Sequence, residues 1–467
     1  MIADLKPFAE YKDTGLPWLG QMPRHWGQRR MKFLFKERVQ KGFPDEPLLA
    51  ATQSKGVVRK EDYGARTVTA MKDLHLLKFV EEGDFVISLR SFQGGIEFTH
   101  TRGIISPAYT VLTPRKEARR GYYARVFKSP DFISSLTLFV TGIREGQNID
   151  YERLSRAYLP LPPADEQYAI GLFLDWANGR LERTIRAKRK VIALLNEQKQ
   201  TIIHRAVTRG RDLSAPLRPS GIPWLGDIPQ HWEVRRLKSL CSFVTSGSRG
   251  WARYYADDGF VFLRIGNIST TSIDLRLARI SYVTPPPGAE GERTRARPND
   301  LLLSITAQIG AVGVVPDGLG EAYVNQHAAL IRLWPERSVP RWVAYGLLSQ
   351  FGKDQCQLMT NGGTKIGLTL ADVRCLHVLL PPVEEQVRLV VCIENETRAL
   401  ETAMSRLERE IDLLREYRSR LVADVVTGKL DVREAAARLP DKAPRDTVED
   451  DTDLDEETEF RDEETVP

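Results

Sequence analysis

The sequence predicts an α+β protein: two mixed α/β domains joined by two long antiparallel coiled-coil helices, with a pseudo-two-fold internal repeat. Three observations predict it. Residues 14–32, TGLPWLGQMPRHWGQRRMK, recur without a gap at 220–238 as SGIPWLGDIPQHWEVRRLK, and 11 of the 19 positions are identical at an offset of 206. A closing segment also repeats: LPLPPADEQ at 159–167 returns as VLLPPVEEQ at 378–386, 219 positions later. After each closing segment comes a long stretch without proline, about 166–208 and about 385–427. An internal repeat outranks other fold signals, because each copy is one structural unit.

The opening segment carries the pairs Trp18/Trp224, His25/His231 and Trp26/Trp232. Tryptophan is rare, so the matched pairs are not chance. Packing is the expected role of these aromatics, and the two histidines look structural. The change of offset from 206 to 219 places 13 extra residues inside the second copy. The middles, roughly 33–158 and 239–377, share little identity. Each half is thus a constant opening, a variable middle and a constant closing helix. The expected boundaries are 1–163 for an N-terminal arm and first domain, and 164–212 for the first helix. The second domain then takes 213–381, the second helix 382–430, and an acidic tail 431–467.

The Pro-Pro pairs mark helix entries, since proline is tolerated in the first turn and excluded from the interior. Asp165 and Glu166, like Glu384 and Glu385, place negative charge at the positive end of the helix dipole. Gly210 and Gly428 suit the exits. Apolar residues recur at steps of four and three: Ile170, Leu174, Ala177, Leu181, Val191, Leu195 and Ile202, then Leu389, Ile393, Leu400, Ala403, Leu407, Leu414, Tyr417 and Leu421. That is coiled-coil spacing. Thr184, Lys188, Gln198, Glu396 and Glu410 interrupt the seam, as tolerated polar sites or as register markers.

Inside the middles, Gly83-Asp84 followed by FVIS and Asn299-Asp300 followed by LLLS read as a turn entering a buried strand. A glycine-containing segment follows each, 90–95 and 306–310, suited to a plain turn or to close backbone approach.

The last twenty residues hold 11 acidic side chains and one arginine, a net of −10. The chain as a whole carries +5, so the remainder carries +15. A basic body points to a polyanionic partner. The tail is too polar to bury a core and is expected to be disordered, a solubilising block or a weak competitor for the basic surface. No apolar run approaches 18 residues, which predicts no membrane span. Cys241, Cys356, Cys375 and Cys392 form no CxxC pair, the pattern of reduced cysteines in a cytoplasmic protein. No Walker A loop, Asn-Pro-Pro-Tyr motif or H-E-x-x-H is present, so no catalytic residue, cofactor site or metal site is expected in this chain.

At PWLG-x-x-P-x-HW (17–26 and 223–232) and PLPP-x-x-EQ (160–167; LLPPVEEQ in the second copy), the chain resembles the specificity subunit of type I restriction–modification systems. The resemblance covers about 11–430. It implies that each middle is a target recognition domain reading half of a split, asymmetric sequence in double-stranded DNA. It implies that the helices set the gap between half-sites and dock two methyltransferase subunits. These would bind S-adenosylmethionine, while partner restriction translocase–nuclease subunits would use ATP and Mg. The chain itself would then be non-catalytic, cytoplasmic and free of membrane. The recognition subunit of a two-cut type II restriction–methylation enzyme and a coiled-coil scaffold that does not bind DNA are the alternatives.

Bases are read by Arg or Lys at guanine and by Asn or Gln at adenine. Candidates on expected loops are Arg90, Gln93, Arg144, Gln147 and Asn148 in the first domain. Arg249, Arg253, Gln308, Asn325, Gln326 and Lys365 are those of the second. Phosphate contact or solvation is the alternative for each. The RAKRK run at 186–190 reads as a solvated helix face, or as a contact to phosphate.

Overall fold

The computed structural model describes residues 5–440, except 54, 64–72, 142–147, 213, 248–249, 286–287 and 361–366. The acidic tail therefore lies outside the described residues. The described chain falls into two compact units, residues 5–187 with 409–440, and residues 188–408.

The first unit holds a four-stranded antiparallel sheet of β1 (Phe35–Arg38), β2 (Phe85–Ile87), β3 (Glu97–Phe98) and β4 (Thr110–Pro114), in the order β1-β4-β2-β3. Chain order then brings α1 (Ala164–Arg209), which fits the expected proline-free helix. The second unit holds β5 (Cys241–Ser246), β6 (Leu301–Ser304), β7 (Val312–Val314) and β8 (Ala328–Leu333), followed by α2 (Val383–Val426). Its sheet runs β5-β8-β6-β7, the same order as in the first unit.

Both sheets are entered by the turn the sequence predicts. Asp84 accepts from the Glu81 amide (2.9 Å), and Asp300 from the Arg297 amide (2.8 Å). Gly83 and Asn299 both take positive φ, a conformation open to glycine and tolerated by asparagine. Each aspartate is buried and paired with a guanidinium. Arg38 on β1 serves Asp84, and Arg332 on β8 serves Asp300. A buried carboxylate needs such a fork to satisfy its lone pairs.

Beyond these sheets the units differ. The first adds two-stranded ladders, Leu49–Thr52 with Gly56–Arg59 and Lys78–Val80 with Gly103–Ile105. The second adds a five-stranded sheet that includes Phe260–Leu263 and Ala322–Val324 as a parallel pair. Among the described residues, the two units differ mainly in what surrounds a common sheet.

The repeated motifs meet in space. In the first unit, opening strand Gly27–Arg30 pairs with closing strand Tyr158–Leu161. Trp26 Nε1 donates to Glu166 Oε2 at 2.7 Å, and His25 Nε2 lies 2.7 Å from Glu166 Oε1. Gln167 accepts from the Arg119 amide and donates to the Pro162 carbonyl. In the second unit, Glu233–Arg236 pairs with His377–Leu380. Trp232 Nε1 donates to Glu385 Oε1 (3.1 Å), and His231 lies 2.9 Å from Oε2. Gln386 repeats the role of Gln167, accepting from the Val339 amide and donating to the Pro381 carbonyl. His-Trp and Glu-Gln are therefore two halves of one clamp, built twice.

Trp26 and Trp232 are buried as expected. Trp18 is partly buried on Phe132, whereas Trp224 is half exposed, so this repeated pair does not serve packing equally.

The helix seam differs from its expected phase. Ile170, Leu174, Ala177 and Leu181 are buried, but the seam then passes through Ile185, Lys199 and Ile203, not Thr184, Gln198 and Ile202. In α2, Thr397 and Ile411 are buried in place of Glu396 and Glu410, and Tyr417 is exposed. In each helix the change comes at consecutive steps of four, Ala177–Leu181–Ile185 and Leu389–Ile393–Thr397, which follow the 3.6-residue turn more closely than a strict heptad does.

Candidate nucleic-acid interface

Among the described candidates, Arg90 and Gln93 gather with Asn148 in the first unit, and Gln308 gathers with Asn325 and Gln326 in the second. In the first unit, β2 runs into the turn Ser88–Arg90 and the short helix Ser91–Gly94. Ser91 Oγ accepts from the Ser88 amide at 2.8 Å, and the Gln93 amide bonds the Arg90 carbonyl. Arg90 and Gln93 are both exposed. Gly95 ends this helix at φ 83°, where a Cβ would stand 2.2 Å from the Phe127 carbonyl oxygen. Only glycine allows the turn to sit so close to the next helix. The Ser91–Gly94 helix also lies against the strand Asn148–Ile149, so exposed Asn148 joins the same corner. Arg144 and Gln147 lie outside the described residues.

In the second unit, Gln308 occupies the tip between β6 and β7 at φ 54° and is exposed. Asn325 and Gln326 form the turn between the strand Ala322–Val324 and β8. The two loops are joined through His327. Its carbonyl accepts from the Ile305 amide (3.0 Å), and its Nδ1 lies 3.1 Å from Thr306 Oγ1. Gln326 Nε2 lies 3.0 Å from His327 Nε2, which leaves Gln326 Oε1 buried with no hydrogen-bond partner among the described residues. Asn325 Oδ1 accepts from the His327 amide, so this side chain shapes the turn.

Arg253 stands elsewhere, on the short helix Trp251–Tyr254, exposed and 4.8 Å over the Tyr254 ring. Trp251 packs there on Phe262 and Tyr323. Arg249 and Lys365 lie outside the described residues.

Sequence reasoning missed His327, the residue that ties the two loops of the second unit. It also missed Gln53 and Lys55 of the first, which are exposed at the end of a two-stranded ladder. Gln53 and Lys55 carry a readable signal: polar and basic residues next to Gly56, at a hairpin end.

The loops present guanidinium and amide groups, and no group of three or more His, Cys, Asp or Glu among the described residues could hold a metal ion. Among these residues no helix is long and apolar enough to cross a membrane. The arrangement suits hydrogen-bond recognition of a polar, anionic partner.

No protein-family model matches the chain. Along 446 residues it is 22% identical to a putative type I restriction enzyme MjaX specificity subunit of Methanocaldococcus jannaschii, spanning 89% of this chain and 96% of the relative. Its curated matches are type I restriction enzyme specificity subunits. The specificity subunit of the EcoBI enzyme of Escherichia coli is 24% identical over 276 residues, 57% of this chain and 56% of the relative. A solved chain from work on the complex assembly and conformational transition of the type I R-M system superposes with a TM-score of 0.53 at 16% identity, covering 87% of this chain and 98% of that one. That likeness concerns the fold. The duplicated clamp gives the repeat of this chain a physical basis: one geometry, two different sets of loops.

Proposed function

We propose that this chain is the DNA-recognition subunit of a type I restriction–modification complex. Each unit reads one half of a bipartite, asymmetric target in double-stranded DNA. Arg90, Gln93 and Asn148 are the proposed contacts in the first unit, and Gln308 and Arg253 in the second. Backbone phosphates supply affinity to the basic body, and the loop amides and guanidinia supply sequence.

The two long helices act as an antiparallel pair that sets the gap between half-sites. This reading is supported by ion pairs whose numbering runs in opposite directions along the helices: Lys199 with Glu401 and Arg205 with Glu396 in one unit, Glu182 with Arg418 in the other. The chain makes no bond itself. Two methyltransferase subunits dock on it and bring S-adenosylmethionine, and restriction translocase–nuclease subunits bring ATP and Mg. Methylating a base within a duplex requires extruding it, which demands a firm hold on both flanks.

The observation that carries the proposal is the clamp built twice under one sheet order, with unlike loops around each. The test is to map methylated adenines in the host with and without this gene. Loss of one split, asymmetric motif on deletion is expected. Unchanged methylation in a host whose methyltransferase gene is expressed would refute it.

A further inference from the structure

The corner that carries Arg90 and Gln93 is held by one lysine. Lys128 directs its ammonium to three segments: the Gln53 carbonyl (3.1 Å), the Gly94 carbonyl (2.7 Å) and Glu97 Oε1 (2.6 Å). An ammonium has three donors, so all of them are spent inside the protein. Glu97 is buried on β3, and its second oxygen, Oε2, finds no donor among the described residues. A half-satisfied buried carboxylate is costly, and an apolar pair would pack more cheaply. What the ion pair does secure is the relative position of two loops.

A second observation joins the same loops. The side chain of exposed Gln53 lies over Gly94, where a Cβ would stand 2.7 Å from Gln53 Cγ. Gly94 does not sit at positive φ, so a larger residue there would displace the Gln53 side chain and not strain the backbone. Beside it, Lys55 is exposed, and its amide is tied to Thr52 Oγ1.

We infer that the first unit reads its half-site with a composite surface of two loops. Gln53 and Lys55, at the end of the ladder Leu49–Thr52/Gly56–Arg59, stand with Arg90 and Gln93, and Lys128 is the positioning residue that locks the loops together. The inference rests on the reading of this unit as a DNA reader. Gln53 supplies the adenine-type amide, and Lys55 supplies a phosphate contact.

The test uses the full chain assembled with its methyltransferase partner, selecting duplexes from a pool of randomised DNA. Gln53→Ala and Gly94→Ala relax preference at one shared base position by tenfold or more, and leave the other half-site unchanged. Lys128→Met relaxes several positions of that half-site without altering the salt dependence of binding, because its ammonium meets no phosphate. Lys55→Ala lowers the slope of log affinity against log salt by about 1. The double variant Arg90→Ala/Gln93→Ala is the reference. Relaxation by the reference, with Gln53→Ala and Gly94→Ala silent, overturns the composite surface and spares the reading of the unit. Silence of the reference as well overturns both. Where Lys128→Met lowers the melting temperature and abolishes all binding, its role is structural, and the Gln53 and Gly94 variants decide.

Discussion

Lys199 donates to Glu401 at 2.5 Å from an almost fully buried position, and the internal repeat maps this pair onto Arg418 and Glu182, which form the same bridge with the helices exchanged. The offset of 219 carries 199 to 418 and 182 to 401. A cation thus occupies the seam of each long helix where an apolar residue is the usual choice. Glu401 is close to half exposed, so solvent screens the pair. Lys199→Ala is expected to cost about 1–2 kcal/mol. Exchange of the two residues, Lys199→Glu with Glu401→Lys, should recover part of the loss in a urea-melt double-mutant cycle. A coupling energy near zero would show that the pair does not hold the helices.

The two clamps should differ in strength. Glu166 is 5% exposed and Glu385 21% by side chain, and only Glu166 also faces Arg433, at 3.5 Å. Glu166→Ala strands the buried Trp26 indole N–H and is expected to cost about 3 kcal/mol. Glu385→Ala should cost visibly less. Chemical denaturation of the two variants checks the order, and equal losses would contradict it.

Gly428 ends α2 at φ 78°, where a Cβ would stand 2.4 Å from Pro23 Cδ and 2.9 Å from the Trp26 ring. Gly428→Ala combines left-handed strain with this overlap and should destabilise by about 2–4 kcal/mol. Gly226→Ala, at φ 73° with open space around it, meets strain alone and should cost about 1 kcal/mol. Melting temperatures of the pair separate the two contributions.

Glu97 supplies a pH dependence. Burial raises its carboxyl from the usual carboxylate range to about 7, against the opposing pull of Lys128. A pKa raised on folding means the folded state holds its proton more tightly than the unfolded chain. The resulting stability is full below about 4.5 and is lost as pH rises through about 7. Glu97→Gln removes this loss, so its stability relative to the parent should improve between pH 5 and pH 8. Urea midpoints at both values measure it, and a constant difference would sink the assignment.

The proposed ruler has its own test. Four residues inserted into each long helix add about 6 Å, nearly two base pairs, and turn the helix by about 400°, close to one full turn. The half-sites should remain while their gap grows. An unchanged gap in the methylated motif would remove the ruler.

Much of the frame is legible along the chain, because its signals are local. The Pro-Pro entries, the proline-free helices and the Gly/Asn-Asp turns into β2 and β6 each depend on backbone geometry within a few residues. The repeat identifies His25, Trp26, Glu166 and Gln167 as a set before any contact is known.

Tertiary structure alone decided what the set does. Glu166 meets Trp26 across 140 positions, and no periodicity encodes a pairing that long. It also decided the seam. One extra step of four after Leu181 changes the phase of the heptad, so Ile185, Lys199 and Ile203 face inward while Thr184 and Gln198 face solvent. The loops are the extreme case. His327 joins Thr306 to the Asn325 turn, and Lys128 joins Gln53 to Gly94. Such hydrogen bonds link segments far apart in the chain, and only the packing of the sheets beneath them brings their atoms within reach.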